Sequence, residues 1–180
     1  PPPARSAPDE IGPASPTAYT NLQEHILDLA ERFDLQIQRA LLRAASTDTS
    51  DSSRLTASTI REVLTILNRT AREATANTKA DDARALDDCL LIIERHIRER
   101  EAATLAQGAR LPWLDLVSCF GLSELEADVL FACFAVDLDN KYATIFGYLN
   151  NDCSRHLPTI GCVLALCASS RAPRTAVHRL

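Results

Sequence analysis

Cys153, His156, Cys162 and Cys167 are the nearest approach to a metal-ligand set in this chain. Thiolate and imidazole suit zinc, but separations of three, six and five residues match no compact C-x-x-C knuckle. Asp137, Asp139 and Lys141 fall at the first alternating positions of a calcium loop. Tyr142 then stands where the turn glycine belongs, and Tyr148 where the bidentate glutamate belongs, so that site is rejected. There is no H-E-x-x-H and no G-x-S-x-G. A phosphate cradle needs glycine-rich backbone amides and a lysine that reaches the phosphates. The lysines are Lys79 and Lys141, and neither follows a glycine. The residues therefore predict no catalytic, cofactor or metal site in this chain.

The remaining candidates read as structure. His25 and His96 lie on helical stretches among charged residues, which predicts surface histidines. The six cysteines lie mostly in apolar helical stretches and read as small buried thiols of a reducing cytosol, not as a disulfide framework. Asn68-Arg69-Thr70 is a formal glycosylation sequon, but it falls mid-helix and reads as chance.

The elements behind these residues are helical. Ala and Leu dominate, glycine is scarce at five residues, and no alternating run is long enough for a strand. A net charge of −5 gives no general attraction for nucleic acid or an acidic membrane. No stretch is long and apolar enough to span a bilayer, and no signal-peptide core follows a basic start. A cytoplasmic location is expected. Methionine is absent, which predicts a trimmed protein or a fragment.

Residues 1–17 hold six of the nine prolines and read as a disordered tether. Thr20 and Gln23 form a possible capping box for a first helix with the stripe Leu22, Ile26, Leu29, Phe33, Ile37, Leu41. Arg32 and Arg39 are placed on other faces. Residues 46–54 read as a flexible loop. Thr59 and Glu62 open a second helix whose stripe thins to Ala71 and Ala74, and residues 75–80 break it. A third helix begins near Asp81 and carries Ala83, Leu86, Leu90, Ile93 and Ile97 as far as Gly108. Its length is about 40 Å. Residues 18–107 thus form a long-helix hairpin or bundle.

Residues 108–168 form a compact cluster of short helices. Pro112 starts one and Gly121 ends it. Ser123 and Glu126 cap the next, which is apolar almost all round and is expected to be the central buried helix. Asp139 or Asn140 caps a helix lined by Tyr142, Ile145, Phe146 and Leu149, and Thr159 caps a last one. Residues 169–180 read as a linker. The fold class is all-α.

One pattern in the cluster is shared with a known family. It comprises Leu111-Pro112, Phe120-Gly121-Leu122-Ser123, Glu126, Asp128-Val129-Leu130, Ala135, Leu138-Asp139, Tyr142, Ile145-Phe146, Leu149, Asn151-Asp152 and Pro158-Thr159. It resembles the N-terminal helical segment, described as a winged-helix variant, of bacterial AAA+ ATPases. These include the ATPases that accompany extracellular contractile injection systems. The resemblance covers about a third of the chain, and no wing strands are visible. Phe120, Leu130, Phe146 and Leu149 are expected to pack. Asp128, Asp139 and Asp152 are expected to make helix-end or loop hydrogen bonds, with a partner contact as the alternative.

The resemblance implies a non-catalytic recognition or assembly domain of an ATPase, with ATP and Mg held only by a AAA+ module outside this chain. It implies a protein partner, such as an injection-particle component or a substrate, and a homo-oligomer formed through the parent module. Two alternatives stand beside it. One is a stand-alone helical interaction or oligomerisation module, suggested by the heptad-like spacing at 83–97. The other is a helix-turn-helix for DNA, whose recognition helix at 141–150 would offer only Lys141 and Asn150.

Overall fold

The computed structural model describes residues 17–46, 57–68 and 81–170. Among them are seven helices and no strand: α1 (Leu22–Ser46), α2 (Ala57–Asn68), α3 (Asp81–Ala106), α4 (Pro112–Cys119), α5 (Glu124–Leu138), α6 (Asn140–Leu149) and α7 (Ile160–Ser170). The all-α expectation holds. No helix of the described residues is long and apolar enough to cross a membrane. Of the loop predicted at 46–54, Ser46 is the last residue of α1; the rest of it, the predicted break at 75–80, Ala71 and Ala74, and nearly all of the predicted tether and linker lie outside the described residues. Helix α7 runs through Ser170 and so takes in the first two residues read as linker.

Helix α1 is the centre of the molecule. Leu29, Phe33, Ile37 and Leu41 recur every four residues and are all buried. That spacing keeps them on one face. They meet Val63 and Leu67 of α2, Ile97 of α3, Phe131 and Ala135 of α5, Tyr142 and Phe146 of α6, and Val163 and Leu166 of α7 in one core. Each fully buried large apolar side chain contributes roughly 1.5–3 kcal/mol relative to exposure. The long-helix segment and the short-helix cluster therefore share a single core.

Helix α5 is not the central helix that its composition suggests. It buries Phe131, Ala132 and Ala135, while Leu130, Cys133 and Phe134 stay exposed. The physical reason is that α1 takes the middle, so only one face of α5 finds a neighbour. The excess apolar surface is left outside.

Local signals fix the helix ends. Gly108 (φ +75°) follows α3 and Gly121 (φ +59°) follows α4, a left-handed conformation that costs glycine little. Pro112 opens α4. Ser123 Oγ accepts from the Glu126 backbone N–H at 3.3 Å, and the Ser123 N–H donates to the Glu126 carboxylate at 2.8 Å, a reciprocal capping box. The Asp139 carboxylate accepts from the Lys141 N–H at 2.8 Å and caps α6. Thr159 Oγ1 accepts from the Cys162 N–H at 3.3 Å at the start of α7.

Two starts differ from expectation. In α1 the cap is Asn21, whose Oδ1 accepts from the Glu24 N–H at 2.9 Å, while Glu24 reaches back to Thr20. Helix α2 begins at Ala57, so Thr59 and Glu62 lie inside it instead of framing its start.

Helices α1 and α3 run antiparallel, because the start of α1 meets the end of α3. Tyr19 N–H donates to Thr104 Oγ1 at 2.8 Å. Arg100 donates to Glu24 at 2.7 Å and to Asp28 at 3.0 Å, with its guanidinium over the Tyr19 ring. His25 is fully buried here, not on the surface, with Nε2 2.9 Å from Glu101 Oε1. Its charged sequence neighbours point into this inter-helix network instead of into water, which is why neighbourhood alone misplaced it.

The cysteines are corrected too. Cys89, Cys119, Cys133 and Cys153 are exposed free thiols and Cys162 is half-buried. Burial pushes the Cys162 thiol up to about 11. The other four occupy the outward faces of helices or a loop, where their apolar neighbours do not enclose them.

Candidate interaction cleft

Arg32, Gln36 and Arg39 stand at i, i+4 and i+7 on α1, so they share a stripe beside the apolar one. This stripe floors a cleft of about 980 Å³ between α1, α3, α4 and α5. Apolar walls come from Leu90, Leu91 and Ile97 on α3 and from Trp113, Leu114 and Val117 on α4. Helix α4 has no fully buried residue. Its Trp113 ring instead leans edge-on against Phe131 at 5.5 Å between centroids. A concave, mostly apolar surface with a few convergent polar groups is the usual form of a recognition site.

The floor is charged and incompletely satisfied. Arg32 pairs with Asp128 at 2.8 Å, and Gln36 Nε2 reaches the other Asp128 oxygen at 3.5 Å. Arg39 pairs with Asp87 at 2.9 Å. Among the described residues, Arg32 Nε, Gln36 Oε1 and Arg39 Nε are buried and have no hydrogen-bond partner. Each such group costs about 1–3 kcal/mol. Burial holds the Asp128 carboxyl above the usual range despite Arg32, and Glu94 and Glu124 push it the same way. Desolvation of this carboxylate outweighs the attraction of its partner.

A second, smaller groove of about 540 Å³ lies between α1, α5 and the start of α6, along Leu22, Leu27, Phe134 and Leu138. At its polar end Lys141 donates to Asp34 at 2.6 Å, and the Tyr142 hydroxyl donates to the other Asp34 oxygen at 2.8 Å. Burial raises the Asp34 carboxyl and, more strongly, the Tyr142 phenol.

The residues singled out by the sequence are dispersed. Asp128 lies in the cleft. Ser123, Glu126, Asp139 and Thr159 sit at helix starts, and Pro112 is the first residue of α4. Tyr142 is in the core. Asp152 folds the α6–α7 loop by accepting from the Ser154 N–H at 3.0 Å and its hydroxyl at 2.6 Å, which lowers its carboxyl. Pro158 is half-buried before Thr159. Phe120 does not pack as expected. It is 73% exposed, because it is the C-cap residue of α4 and the chain turns away at Gly121.

Both side chains offered for reading DNA are engaged internally. Lys141 is tied to Asp34, and Asn150 donates to the Leu157 carbonyl at 3.1 Å while accepting from the Thr159 hydroxyl. Among the described residues no cluster of His, Cys, Asp and Glu could hold a metal ion.

The cleft floor was not singled out by the sequence. The signal was present as a polar 32–36–39 stripe with helical spacing, but such a stripe on an amphipathic helix reads as solvated until another element is known to cover it.

A family model described as a winged helix domain, variant, matches residues 10–180. No curated protein and no solved structure gives a significant match.

Proposed function

Because the chain belongs to the family of variant winged helix domains, we propose that it is the non-catalytic N-terminal recognition or assembly domain of a AAA+ ATPase. Its partner on this reading is a protein, a component or substrate of a phage-tail-like contractile injection particle. ATP and Mg are bound by a AAA+ module outside this sequence, through which the parent assembles as a cytoplasmic homo-oligomer.

The observation that carries this reading is the 111–168 pattern, which resembles the segment preceding the motor in such ATPases. The sequence lacks the glycine-rich loop and lysine of a phosphate cradle, so a motor function requires a separate module. A cleft with apolar walls, a charged floor and buried polar atoms left unpartnered among the described residues supports protein recognition. The internal engagement of Lys141 and Asn150 weighs against DNA.

The test immobilises purified injection-particle components and passes the chain over them. Saturable binding to at least one component, with no ATP turnover by the pure chain, is expected. Turnover by the pure chain, or binding to duplex DNA at low salt and to no particle component, overturns the reading.

A further inference from the structure

The cleft has an uneven charge pattern. Glu94 is half-buried and Glu124 exposed, both line the cleft, and no ion pair joins either to a cation among the described residues. Both face Asp128 closely enough to disfavour its charge. Gln36, with 4% of its surface exposed, adds a carbonyl at the same end that is unpartnered among the described residues. Its amide nitrogen is the atom turned to Asp128, so the carbonyl is the free acceptor. Arg98 lies one turn beyond Glu94 on the same face of α3 but makes no ion pair among the described residues, and the lining keeps an acidic excess, with Asp87, Glu94, Glu101, Glu124 and Asp128 against Arg32, Arg39 and Arg98.

The walls set the shape of an occupant. From Asp87 to Glu101, α3 lines the cleft for about 20 Å, the length of roughly 14 helical residues. No strand edge is present among the described residues, so an extended peptide would find no ladder to join. Leu91, 58% exposed, faces α4 residues that are themselves only half-covered.

We propose that the cleft receives a basic amphipathic helix of a protein partner. Its leucine-like face lies against Leu91, Trp113 and Val117, and a lysine or arginine points to Glu94, Glu124 and the Gln36 carbonyl. This rests on the reading of the chain as a recognition domain and adds the partner's chemistry.

Trp113 is the single tryptophan of the chain and lines the cleft, so its fluorescence reports occupancy. The probes are a Leu/Lys amphipathic peptide of about 14 residues and its Leu/Glu counterpart. The Leu/Lys peptide is expected to shift Trp113 emission saturably and to bind about tenfold more tightly than the Leu/Glu peptide. Glu94→Gln with Glu124→Gln should weaken it about fivefold, and Asp137→Asn, outside the cleft, should not. Equal binding of both peptides, or an equal loss in Asp137→Asn, overturns the basic partner. No change in Trp113 emission with either peptide overturns the cleft as a helix site. Both failures leave binding to particle components untouched, so they are distinct from failure of the recognition reading. The comparison of the two peptides on the unaltered chain decides the matter even where a variant misfolds.

Discussion

Arg32 Nη2 lies 2.8 Å from Asp128 Oδ1, and this ion pair joins the long first helix to the capped helix α5. Both side chains are mostly buried, at 21% and 14% exposure. Removing one partner strands the other charge. Arg32→Met should lower unfolding free energy by about 2–4 kcal/mol, measured by urea denaturation. Arg32→Met with Asp128→Leu should recover most of that loss. A double variant as unstable as the single one would contradict this.

Stability should carry a matching pH dependence. Burial raises the Asp128 carboxyl above its ordinary value. A carboxyl raised in the folded state binds its proton more tightly there, so its contribution is largest in acid. That contribution is lost as pH rises through the folded value. The stability of the parent relative to Asp128→Asn should therefore fall as pH rises from about 3.5 upward through the carboxylate range. A difference independent of pH, or one that grows, would contradict the burial effect.

The capping box of α5 should be energetically visible. Ser123→Ala removes the acceptor for the Glu126 N–H and should cost about 1 kcal/mol, read from the thermal midpoint. The Ser123 hydroxyl also donates to the Glu126 carboxylate at 2.7 Å, which holds that carboxyl below its usual range. Its titration by NMR should move up in the variant.

Two glycines should respond in opposite ways. Gly121 has φ +59° with open space around a Cβ, so strain alone opposes a side chain. Gly121→Ala should destabilise by about 1–2 kcal/mol. Gly147 sits in α6, where an added Cβ meets the Cys153 Cα at an ordinary 3.6 Å. Gly147→Ala should be neutral or stabilising by up to about 1 kcal/mol, because helix propensity favours it.

Much of the fold was legible because its signals are local. The α1 stripe, the Ser123–Glu126 box and the glycine stops at 108 and 121 each depend on residues within a turn or two. What was not legible depends on which helix covers which. The apolar composition of α5 could not say that α1 would take the centre. The charged neighbours of His25 could not say that they face Arg100 and Glu101 across a helix pair. Arg32, Gln36 and Arg39 become a site only when α3, α4 and α5 enclose them, and Asp128, the partner of Arg32, lies 96 residues from it. The exposure of Phe120 likewise follows from where α4 ends in space.

The proposed recognition role turns on the cleft. Its most direct measurement is the affinity of the chain for immobilised injection-particle components before and after Leu91→Asp. Leu91 is exposed on the cleft wall, so the substitution should leave the fold intact. The prediction is saturable binding that weakens at least about tenfold in the variant, as expected for a charge placed in an apolar contact. Binding unchanged by Leu91→Asp would contradict recognition through this cleft, and absence of binding by the parent chain would contradict the recognition role itself.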